Sequence, residues 1–511
     1  MASESYAAGV EADASPLADT SITVVGSGFG GLSTACYLAA SGADVRVLEK
    51  NDQLGGRASR RYADGFRFDM GPSWYLMPDV FERFFGHFGR TPGEFYDLER
   101  LDPHYRIFFK DGDRVDVSPD TEAVKDVFES YEAGAGEALE RYLSKAKRNY
   151  EVGMEQFVYE DRSSFSDFLD PSLLRYGRHL PLLGSMDDYV ARYFDHPKLQ
   201  QIMQYTLVFL GGSPSNTPAL YNLMSHADFG LGVYYPEGGM GGVVDALVEL
   251  GTDLGVEFET GVEVSRIRGQ EGAFGLDAGA RTVESDLVVS NADYAHTEQD
   301  LLPPAKRQYD EDYWESRTYA PSAFLVYLGV EGDVDPLAHH TLVLPTDWDR
   351  HFEQIFDDPA WPDDPAYYVC TPSQTDDTVA PDGHSNLFVL VPVAHDLSDT
   401  PENRTRYRDA ILADLAENAG VDVRDRIVFE ETFCIEDFAA RYNTKSGTAL
   451  GLAHTLRQTG PMRPSRRSDA VDGLYFTGSF TTPGIGVPMC LISGEHTAAA
   501  VTDDHARTAG R

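Results

Sequence analysis

The stretch that most constrains the fold of this 511-residue chain lies at residues 21–57. A β-branched run at residues 22–25 leads directly into a glycine turn with the spacing GxGxxG, and a helical apolar pattern follows it. A second strand at residues 44–48 ends on Glu49, eighteen residues after the last glycine of the turn. Strand, glycine turn, helix, strand and terminal acid together predict a dinucleotide-binding βαβ unit of the Rossmann type.

Each residue type in this unit has a physical role. Gly26 permits the sharp turn, Gly28 has no Cβ that would block a pyrophosphate, and Gly31 lets the helix pack closely on the strand. The phosphates are expected over the free N–H groups at the positive end of the helix dipole. Glu49 is predicted to accept hydrogen bonds from the adenosine ribose hydroxyls.

A second glycine-rich segment, Gly55-Gly56-Arg57, follows the second strand. Two glycines and a guanidinium suit close contact with a pyrophosphate, because the backbone can approach it and the arginine can neutralise it. The alternative is a surface β-turn with a solvated arginine. The first interpretation favours a cofactor that extends along the sheet, as FAD does.

Two Gly/Pro segments are candidates for contact with a planar ring. Gly71-Pro72 offers rigid backbone with little side-chain bulk, although an ordinary turn under core aromatics has the same composition. Near the C-terminus, a strand is predicted to end at Gly478, and a Gly/Pro loop leads to a helix that begins after Pro488. That helix N-terminus suits the electron-rich N1–C2 end of a reduced flavin. The alternative is a strand, loop and helix without a ligand.

The middle of the chain is rich in aromatic and Met residues, and long helices are predicted through residues 122–158 and 186–210. These side chains either line a large apolar cavity or form ordinary core. A glycine cluster at residues 238–242 lacks GxGxxG spacing, and Pro236 interrupts the strand before it, so no second dinucleotide site is predicted. Strands at 323–329, 366–370 and 386–393 and a helix at 405–418 are predicted to follow.

The formal net charge of −41 excludes a nucleic-acid-binding surface, which needs clustered Lys and Arg. Only eight of the 42 basic residues are Lys, and this acid excess indicates a high-salt cytoplasm or, alternatively, general solubility. The four cysteines form no CxxC pair, so no metal site or disulfide framework is predicted. Residues 1–19 are predicted to be a disordered acidic tail, and no apolar run is long enough to span a membrane.

Motifs along nearly the whole chain resemble those of the carotenoid desaturases, best known from bacterial phytoene desaturase. This family belongs to the wider glutathione-reductase-like and amine-oxidase-like flavoproteins. The resemblance is carried by VVGSGFGGLSTACYLAASGADVRVLEKNDQLGGRA, FDMGPSWYLMPDVFERFF, LVFLGGSPSNTPALYNLMSHADFGLGVYYPEGGMGGVVDAL, VVSNADYAHTEQDLL, PLAHHTLVL and LYFTGSFTTPGIGVPMCLISGEHTAA. It implies an α/β fold in which a discontinuous FAD-binding domain (20–95, 236–300 and 445–505) carries an inserted α+β substrate domain (96–235 and 301–444).

The resemblance also implies non-covalent FAD and a set of cofactor-binding residues. They are Gly26, Gly28, Phe29, Gly30, Gly31, Glu49, Lys50, Gly55, Gly56, Arg57, Gly71, Pro72, Ser73, Val264, Gly478, Ser479, Gly486, Val487, Pro488 and Met489. The chain departs from related amine oxidases at Ser479, where many carry an acid that holds FAD hydroxyls.

The implied function is desaturation of a C40 carotene, from phytoene towards lycopene, by hydride transfer to flavin N5 and proton loss. The alternatives are a 3,4-desaturase acting on a lycopene-like or hydroxylated carotenoid, and a non-catalytic flavin-binding isoprenoid carrier. Asp167 is the candidate proton acceptor, because it lies between two phenylalanines that could raise its pKa, and His226 and His340 are weaker candidates. Quinone or oxygen is the expected electron acceptor, and the expected location is the cytoplasmic face of the membrane, bound peripherally.

Overall fold

The computed structural model describes residues 16–162 and 184–509. Asp167 and most of the predicted acidic tail lie outside these residues. No helix among the described residues is long and apolar enough to cross a membrane.

The predicted Rossmann unit is the centre of a five-stranded sheet in which every neighbouring pair is parallel. The first and second strands occupy the predicted positions, Ser21–Val25 and Asp44–Leu48, and the helix Phe29–Ala40 connects them. The other strands come from distant parts of the chain and are Glu257–Glu259, Leu287–Ser290 and Leu474–Phe476. The α/β fold class is confirmed.

Apolar helices cover this sheet, and its central strands are therefore buried on both faces. The helix Gly239–Asp253 and the C-terminal helix Val487–Ala509 both pack against Phe29–Ala40. The C-terminal helix approaches so closely that a Cβ on Gly494 would lie 2.4 Å from Ser33 Oγ. The helix Pro78–His87 packs its phenylalanines into the same core.

A second, seven-stranded sheet contains one parallel pair, between its strands Tyr105–Phe109 and His340–Leu344, and is otherwise antiparallel. One face packs on the helix Pro401–Asn418, and the alternate residues of the other face line a cavity. Its strands are Tyr105–Phe109, Arg114–Val117, Ser322–Glu331, His340–Leu344, Tyr367–Cys370, His384–Val393 and Ile427–Phe433. The strands and helix predicted in this part of the chain are present, with ends that differ by a few residues.

The long helices predicted through residues 122–158 and 186–210 are interrupted. The first breaks at residues 132–134: one helix ends at Tyr131, and Gly134, with a φ of +86°, directly precedes the start of the next. The second is divided by a turn before Pro197, which starts a new helix. The α-helices in these regions are Thr121–Tyr131, Ala135–Gly153, Met186–Val190 and Pro197–Gln204.

Small sheets and short helices complete the described chain. The strand Tyr234–Pro236 pairs antiparallel with Leu98–Arg100, so the glycine cluster after it does not follow a parallel strand. The remaining strands are Arg60–Ala63, Phe66–Asp69, Val264–Arg268, Phe274–Ala278 and Arg281–Ser285. The remaining α-helices are Tyr294–His296, Glu311–Glu315, Trp348–Phe352 and Ile435–Tyr442. The domain boundaries stay a prediction.

Candidate active site

A cavity of about 880 Å³ lies between the carboxyl edge of the parallel sheet and the inner face of the seven-stranded sheet. At that edge, the residues that follow four neighbouring strands converge, and they include Gly26, Glu49, Asn291 and Gly478. Ligands of open α/β sheets bind at this edge. Of the predicted cofactor-binding residues, every one except Gly31 lines the cavity.

The glycines of the first turn are packed against backbone and against Asn291. Gly26 has a φ of +93°, which a side chain rarely adopts. A Cβ on Gly28 would lie 2.8 Å from Asn291 Nδ2, and one on Gly30 would lie 2.7 Å from the Cα of Gly478. The sequence analysis did not identify Asn291, although its place directly after a buried parallel strand is a usable signal.

Gly31 does not line the cavity, and its contact with the cofactor stays a prediction. A Cβ at this position would lie 2.2 Å from the carbonyl oxygen of Gly26. The residue therefore has the role predicted for it in helix–strand packing. Gly28 lines the cavity at the start of this helix, and it caps the helix without a side-chain hydrogen bond.

Glu49 is 5% exposed, and its carboxylate is held at the cavity wall by its neighbours. Its Oε2 accepts hydrogen bonds from the backbone N–H and the hydroxyl of Ser27, at 2.9 and 2.7 Å. Its Oε1 accepts from the backbone and side-chain N–H groups of Asn51, both at 2.9 Å. A ribose hydroxyl would bind this carboxylate by exchanging with Ser27 Oγ or Asn51 Nδ2.

Arg57 lines the cavity, and two of its guanidinium nitrogens, Nε and Nη2, are buried with no hydrogen-bond partner among the described residues. Its guanidinium lies 5.6 Å from the ring centre of Tyr442. The side chain as a whole is half-buried and forms no ion pair with the described residues, and buried guanidinium nitrogens are costly unless an anion binds them. The arrangement fits a pyrophosphate, and the alternative of a solvated surface arginine is wrong.

The far end of the cavity is formed by the two Gly/Pro segments. Gly71, Pro72 and Ser73 line it from one side, and residues 486–489 line it from the other. The C-terminal helix begins at Val487, so its N-terminus faces the cavity. A bound group that gains negative charge there is stabilised by the free N–H groups of the first turn.

Two buried side chains that the sequence analysis missed hold the loop before this helix. His454 Nε2 accepts a hydrogen bond of 2.9 Å from the Ile485 N–H, and its Nδ1 lies 2.5 Å from the Tyr221 hydroxyl. Burial lowers the pKa of His454 well below its usual value, so the ring is neutral. Arg463 donates to the carbonyl oxygens of Ser479 and Phe480, at 2.5 and 3.2 Å. Neither residue lies in a glycine motif, which is why pattern reading passed over them.

Comparisons with known proteins agree with this geometry. The family model for flavin-containing amine oxidoreductases matches residues 29–502. The chain belongs to the flavin-containing amine oxidoreductases. It is 66% identical over 492 residues to a carotenoid 3,4-desaturase from Haloarcula japonica, covering 96% of this chain and 99% of that protein. It is 34% identical over 478 residues to a zeta-carotene-forming phytoene desaturase from Myxococcus xanthus, covering 92% of each. A putrescine oxidase structure superposes with a TM-score of 0.61 at 15% identity, covering 95% of this chain and 99% of that one.

As a flavin-containing amine oxidoreductase, the protein is an oxidoreductase that uses FAD. Two guanidinium nitrogens of Arg57, which have no partner within residues 16–162 and 184–509, and the tightly packed glycine turn fit the pyrophosphate of FAD, and the buried Glu49 fits its adenosine ribose. Lys50, also predicted to bind the cofactor, lines the cavity, and its ammonium group donates to the Ala440 carbonyl and to Asn443 Oδ1, at 2.7 and 2.6 Å. Its ammonium group therefore ties the cavity edge to the helix Ile435–Tyr442.

Arg57→Ala is expected to weaken FAD binding by about 30- to 100-fold, because a charge-assisted hydrogen bond contributes about 2–3 kcal/mol. The dissociation constant measured by flavin fluorescence on titration of the apoprotein checks this. Arg61→Ala is the matched control: Arg61 pairs with Glu431 at 2.7 Å and does not line the cavity. Unchanged FAD affinity in Arg57→Ala would contradict the assignment of this residue to the pyrophosphate.

The part of the cavity away from the sheet edge is apolar, and the seven-stranded sheet supplies much of its wall. Among the aromatic and Met residues of the middle segment, Phe157, Tyr205, Tyr221 and Met224 line it, whereas Tyr189 and Phe194 pack into the core. Both interpretations of that segment therefore hold, for different residues. The other apolar wall residues include Leu220, Leu223, Leu325, Leu342, Leu344, Leu390 and Phe438.

A buried polar cluster lies behind Trp74, which stacks on His340 with ring centres 4.2 Å apart. One potential ligand atom from each of His339, His340 and Cys370 lies within 4.8 Å of the others, a grouping that cysteine spacing did not predict. The Nδ1 atoms of the two histidines lie 2.8 Å from Thr375 Oγ1 and 2.6 Å from the Tyr368 hydroxyl, respectively.

The two weaker candidates for the proton acceptor do not line the cavity. Burial, with His339 and His104 nearby, lowers the pKa of His340 well below its usual value. Burial also lowers the pKa of His226, whose ring lies 5.2 Å from that of Tyr150. Asp167 lies outside the described residues and stays a prediction.

Proposed function

We propose that the protein is an FAD-dependent carotenoid desaturase that introduces double bonds at the 3,4 position. The observation that carries the proposal is one continuous cavity, with phosphate- and ribose-binding groups at the sheet edge and apolar walls beyond the Gly/Pro segments. A long hydrocarbon has no polar handle, so apolar burial at about 25 cal/mol per Å² must hold it. The 66% identical relative is a carotenoid 3,4-desaturase, and this supports the 3,4 position over phytoene desaturation.

The apolar residues of the cavity wall position the substrate. Bound FAD supplies the chemistry by accepting the hydride that leaves an allylic carbon. The wall residues Leu342, Leu344 and Leu390 exclude water and orient the chain across the ring, which supplies much of the rate enhancement. The N-terminus of the helix Val487–Ala509 stabilises the negative charge that develops at its end of the cavity.

The deciding experiment supplies the reconstituted protein separately with phytoene, with lycopene and with a hydroxylated lycopene derivative, and records the pigment spectrum. A 3,4-desaturase lengthens the conjugation of the second or third substrate and leaves phytoene unchanged. Conversion of phytoene would instead support the phytoene-to-lycopene function. Binding of all three without any spectral change would support a non-catalytic carrier.

We infer that a quinone or dioxygen reoxidises the flavin. The inference rests on the glycine cluster at residues 238–242, which follows the antiparallel strand Tyr234–Pro236 and so is not built as a second nucleotide site. After anaerobic reduction by substrate, a soluble quinone or oxygen is expected to restore the flavin absorbance. NAD is expected to leave it unchanged.

We also infer that the protein contacts the cytoplasmic face of a membrane at one rim of the cavity. Leu456 and Met462 are 52% and 40% exposed and both also line the cavity, so an apolar substrate could pass between them and lipid. With a net charge of −41, attraction to anionic headgroups is poor, and contact depends on apolar burial at high salt.

The double variant Leu456→Asp, Met462→Asp is expected to lower binding to neutral vesicles more than about 10-fold at high salt, because each side chain contributes about 1.5 kcal/mol or more when buried. Vesicle co-sedimentation measures this. Val428→Asp is the control, since Val428 is 51% exposed and lies away from the cavity lining. Equal binding of the double variant and the wild type would contradict the location of the contact.

A further inference from the structure

Asp228 is a fully buried carboxyl group, 0% exposed, that forms no ion pair with the described residues. Its Oδ2 accepts hydrogen bonds from the hydroxyls of Tyr105 and Tyr205, each at 2.9 Å. Its Oδ1 is buried and has no hydrogen-bond partner within the described chain. Burying an unpaired carboxylate destabilises a fold, so its presence needs a reason other than stability.

Asp376, which has a structural role, is a second carboxylate that is hydrogen-bonded to a tyrosine, and it serves as a comparison for Asp228. It accepts a hydrogen bond of 2.8 Å from the Tyr235 hydroxyl, and it also pairs with Arg67 at 2.7 Å. Although burial works against it, hydrogen bonds from Thr378 and the nearby Arg67 lower the pKa of Asp376. Asp228 has the tyrosines but no arginine, which leaves it able to take up a proton.

Tyr205 connects Asp228 to the cavity. Its ring lines the cavity, and its centre lies 6.1 Å from that of Trp74, directly after the Gly71-Pro72-Ser73 segment. Tyr105 packs against both rings, at 5.0 Å from Tyr205 and 5.4 Å from Trp74. The Asp228 carboxyl is therefore one hydrogen bond behind the cavity wall, near the end where the flavin ring is expected.

The acid–base properties of Tyr205 and Asp228 suit proton transfer from the tyrosine to the carboxylate. Burial, and then the neighbouring Asp228, raise the pKa of Tyr205 well above its usual value, so the phenol keeps its proton unless another group accepts it. Burial raises the pKa of Asp228 to about 7, against the hydrogen bonds from the two tyrosines. A proton acceptor is most effective when its pKa lies near the working pH.

We propose that Tyr205 takes the proton lost in desaturation and passes its own hydroxyl proton to Asp228. The proton leaves the carbon next to the one that gives up the hydride and goes to the Tyr205 oxygen, as the Tyr205 proton moves to Asp228 Oδ2. The electron pair of the broken C–H bond becomes the second bond of the new C=C. The hydride, with its two electrons, would go to bound FAD, and Asp228 ends as a neutral carboxylic acid. In this scheme Tyr205 is the catalytic residue, Asp228 acts through it by accepting its proton, and Tyr105 positions Asp228 through its hydrogen bond. The inference rests on the proposed function.

The test is a single anaerobic turnover, in which the carotenoid that the wild type accepts reduces bound FAD. Asp228→Asn and Tyr205→Phe are expected to slow flavin reduction and product formation about 100-fold, the usual contribution of general base catalysis. Both are expected to keep full FAD content and a melting temperature close to that of the wild type. Tyr235→Phe is the matched control, because its hydroxyl bonds to Asp376 and its ring does not line the cavity.

Two further readouts separate proton transfer from a structural role. The wild-type turnover is expected to slow in D₂O, and Tyr205→Phe is expected to lose this solvent isotope effect. In the infrared difference spectrum of the turnover, the C=O stretch of a protonated carboxyl is expected in the wild type and absent in Asp228→Asn.

Wild-type rates in Asp228→Asn and Tyr205→Phe, or slow rates with an unchanged solvent isotope effect, would overturn the relay and leave the proposed function standing. A turnover abolished by Asp167→Asn but not by Asp228→Asn would place the proton acceptor at Asp167 instead. Failure of every tested carotenoid to reduce the wild-type flavin would refute the proposed function and the relay with it.

Discussion

Gly31→Ala is expected to prevent folding of the FAD-binding sheet and to yield protein without flavin. The new Cβ would lie 2.2 Å from the carbonyl oxygen of Gly26, a backbone atom that cannot move without opening the glycine turn. The helix Phe29–Ala40 is also held on its other side by the C-terminal helix, so it cannot shift away. We expect a loss of more than about 4 kcal/mol in the free energy of unfolding, in the range of the most damaging single substitutions.

The measurements are soluble yield, the FAD-to-protein ratio and the denaturant midpoint. Gly86→Ala is the control, because Gly86 lies in the helix Pro78–His87 and a Cβ there would meet nothing within 4 Å. Alanine favours the helix, so this variant should gain about 0.5–1 kcal/mol. Recovery of Gly31→Ala with full FAD and wild-type stability would show that the turn tolerates a side chain.

The first dinucleotide unit was predictable because its signals are local. Strand, turn and helix are each encoded by adjacent residues, and the glycines must lie where the backbone turns or makes close contact. The position of Arg57 beside the cavity was predictable for the same reason, since it directly follows Gly55 and Gly56 and lines the cavity with them. Gly31 shows the limit: its spacing predicted a role but not which side of the helix it faces.

The residues that sequence reasoning missed are brought together by long-range pairing. Asn291 reaches Gly30 and Gly478 only because the strand Leu287–Ser290 is inserted between the first and last strands of the sheet. Tyr105, Tyr205 and Asp228 are separated by up to 123 residues, and each resembles an ordinary core residue in its own segment. No local sequence pattern identifies them, because their hydrogen bonds form only when the fold buries the three side chains together.

The interrupted helices have a different cause. The apolar spacing at residues 122–158 and 186–210 is helical throughout, and periodicity alone does not report a break of a few residues. Gly134 with its positive φ and Pro197 at a helix start are the local signals that divide these segments.

Arg463→Met is expected to cost about 3–5 kcal/mol of stability and to lower FAD occupancy. The guanidinium is 5% exposed and has no carboxylate partner among the described residues, and it donates instead to four backbone carbonyls. They belong to Leu452, Gln458, Ser479 and Phe480. Methionine fills the space but leaves these oxygens buried without a donor.

Burial lowers the pKa of Arg463 to about 10, so burial works against the charged form of this side chain. Two of these carbonyls belong to the loop that leads into the helix Val487–Ala509, so the helix N-terminus at the flavin end should lose its fixed position. We therefore expect the variant to show a lower denaturant midpoint, a weaker FAD dissociation constant and a shifted flavin absorption spectrum together. Arg350→Met, which removes an exposed pair with Asp363, should change none of the three. Arg463→Met could lose stability but keep the FAD affinity and spectrum of the wild type. In that case the arginine holds the loop without fixing the helix end. The link between this buried charge and the cofactor site would then be wrong.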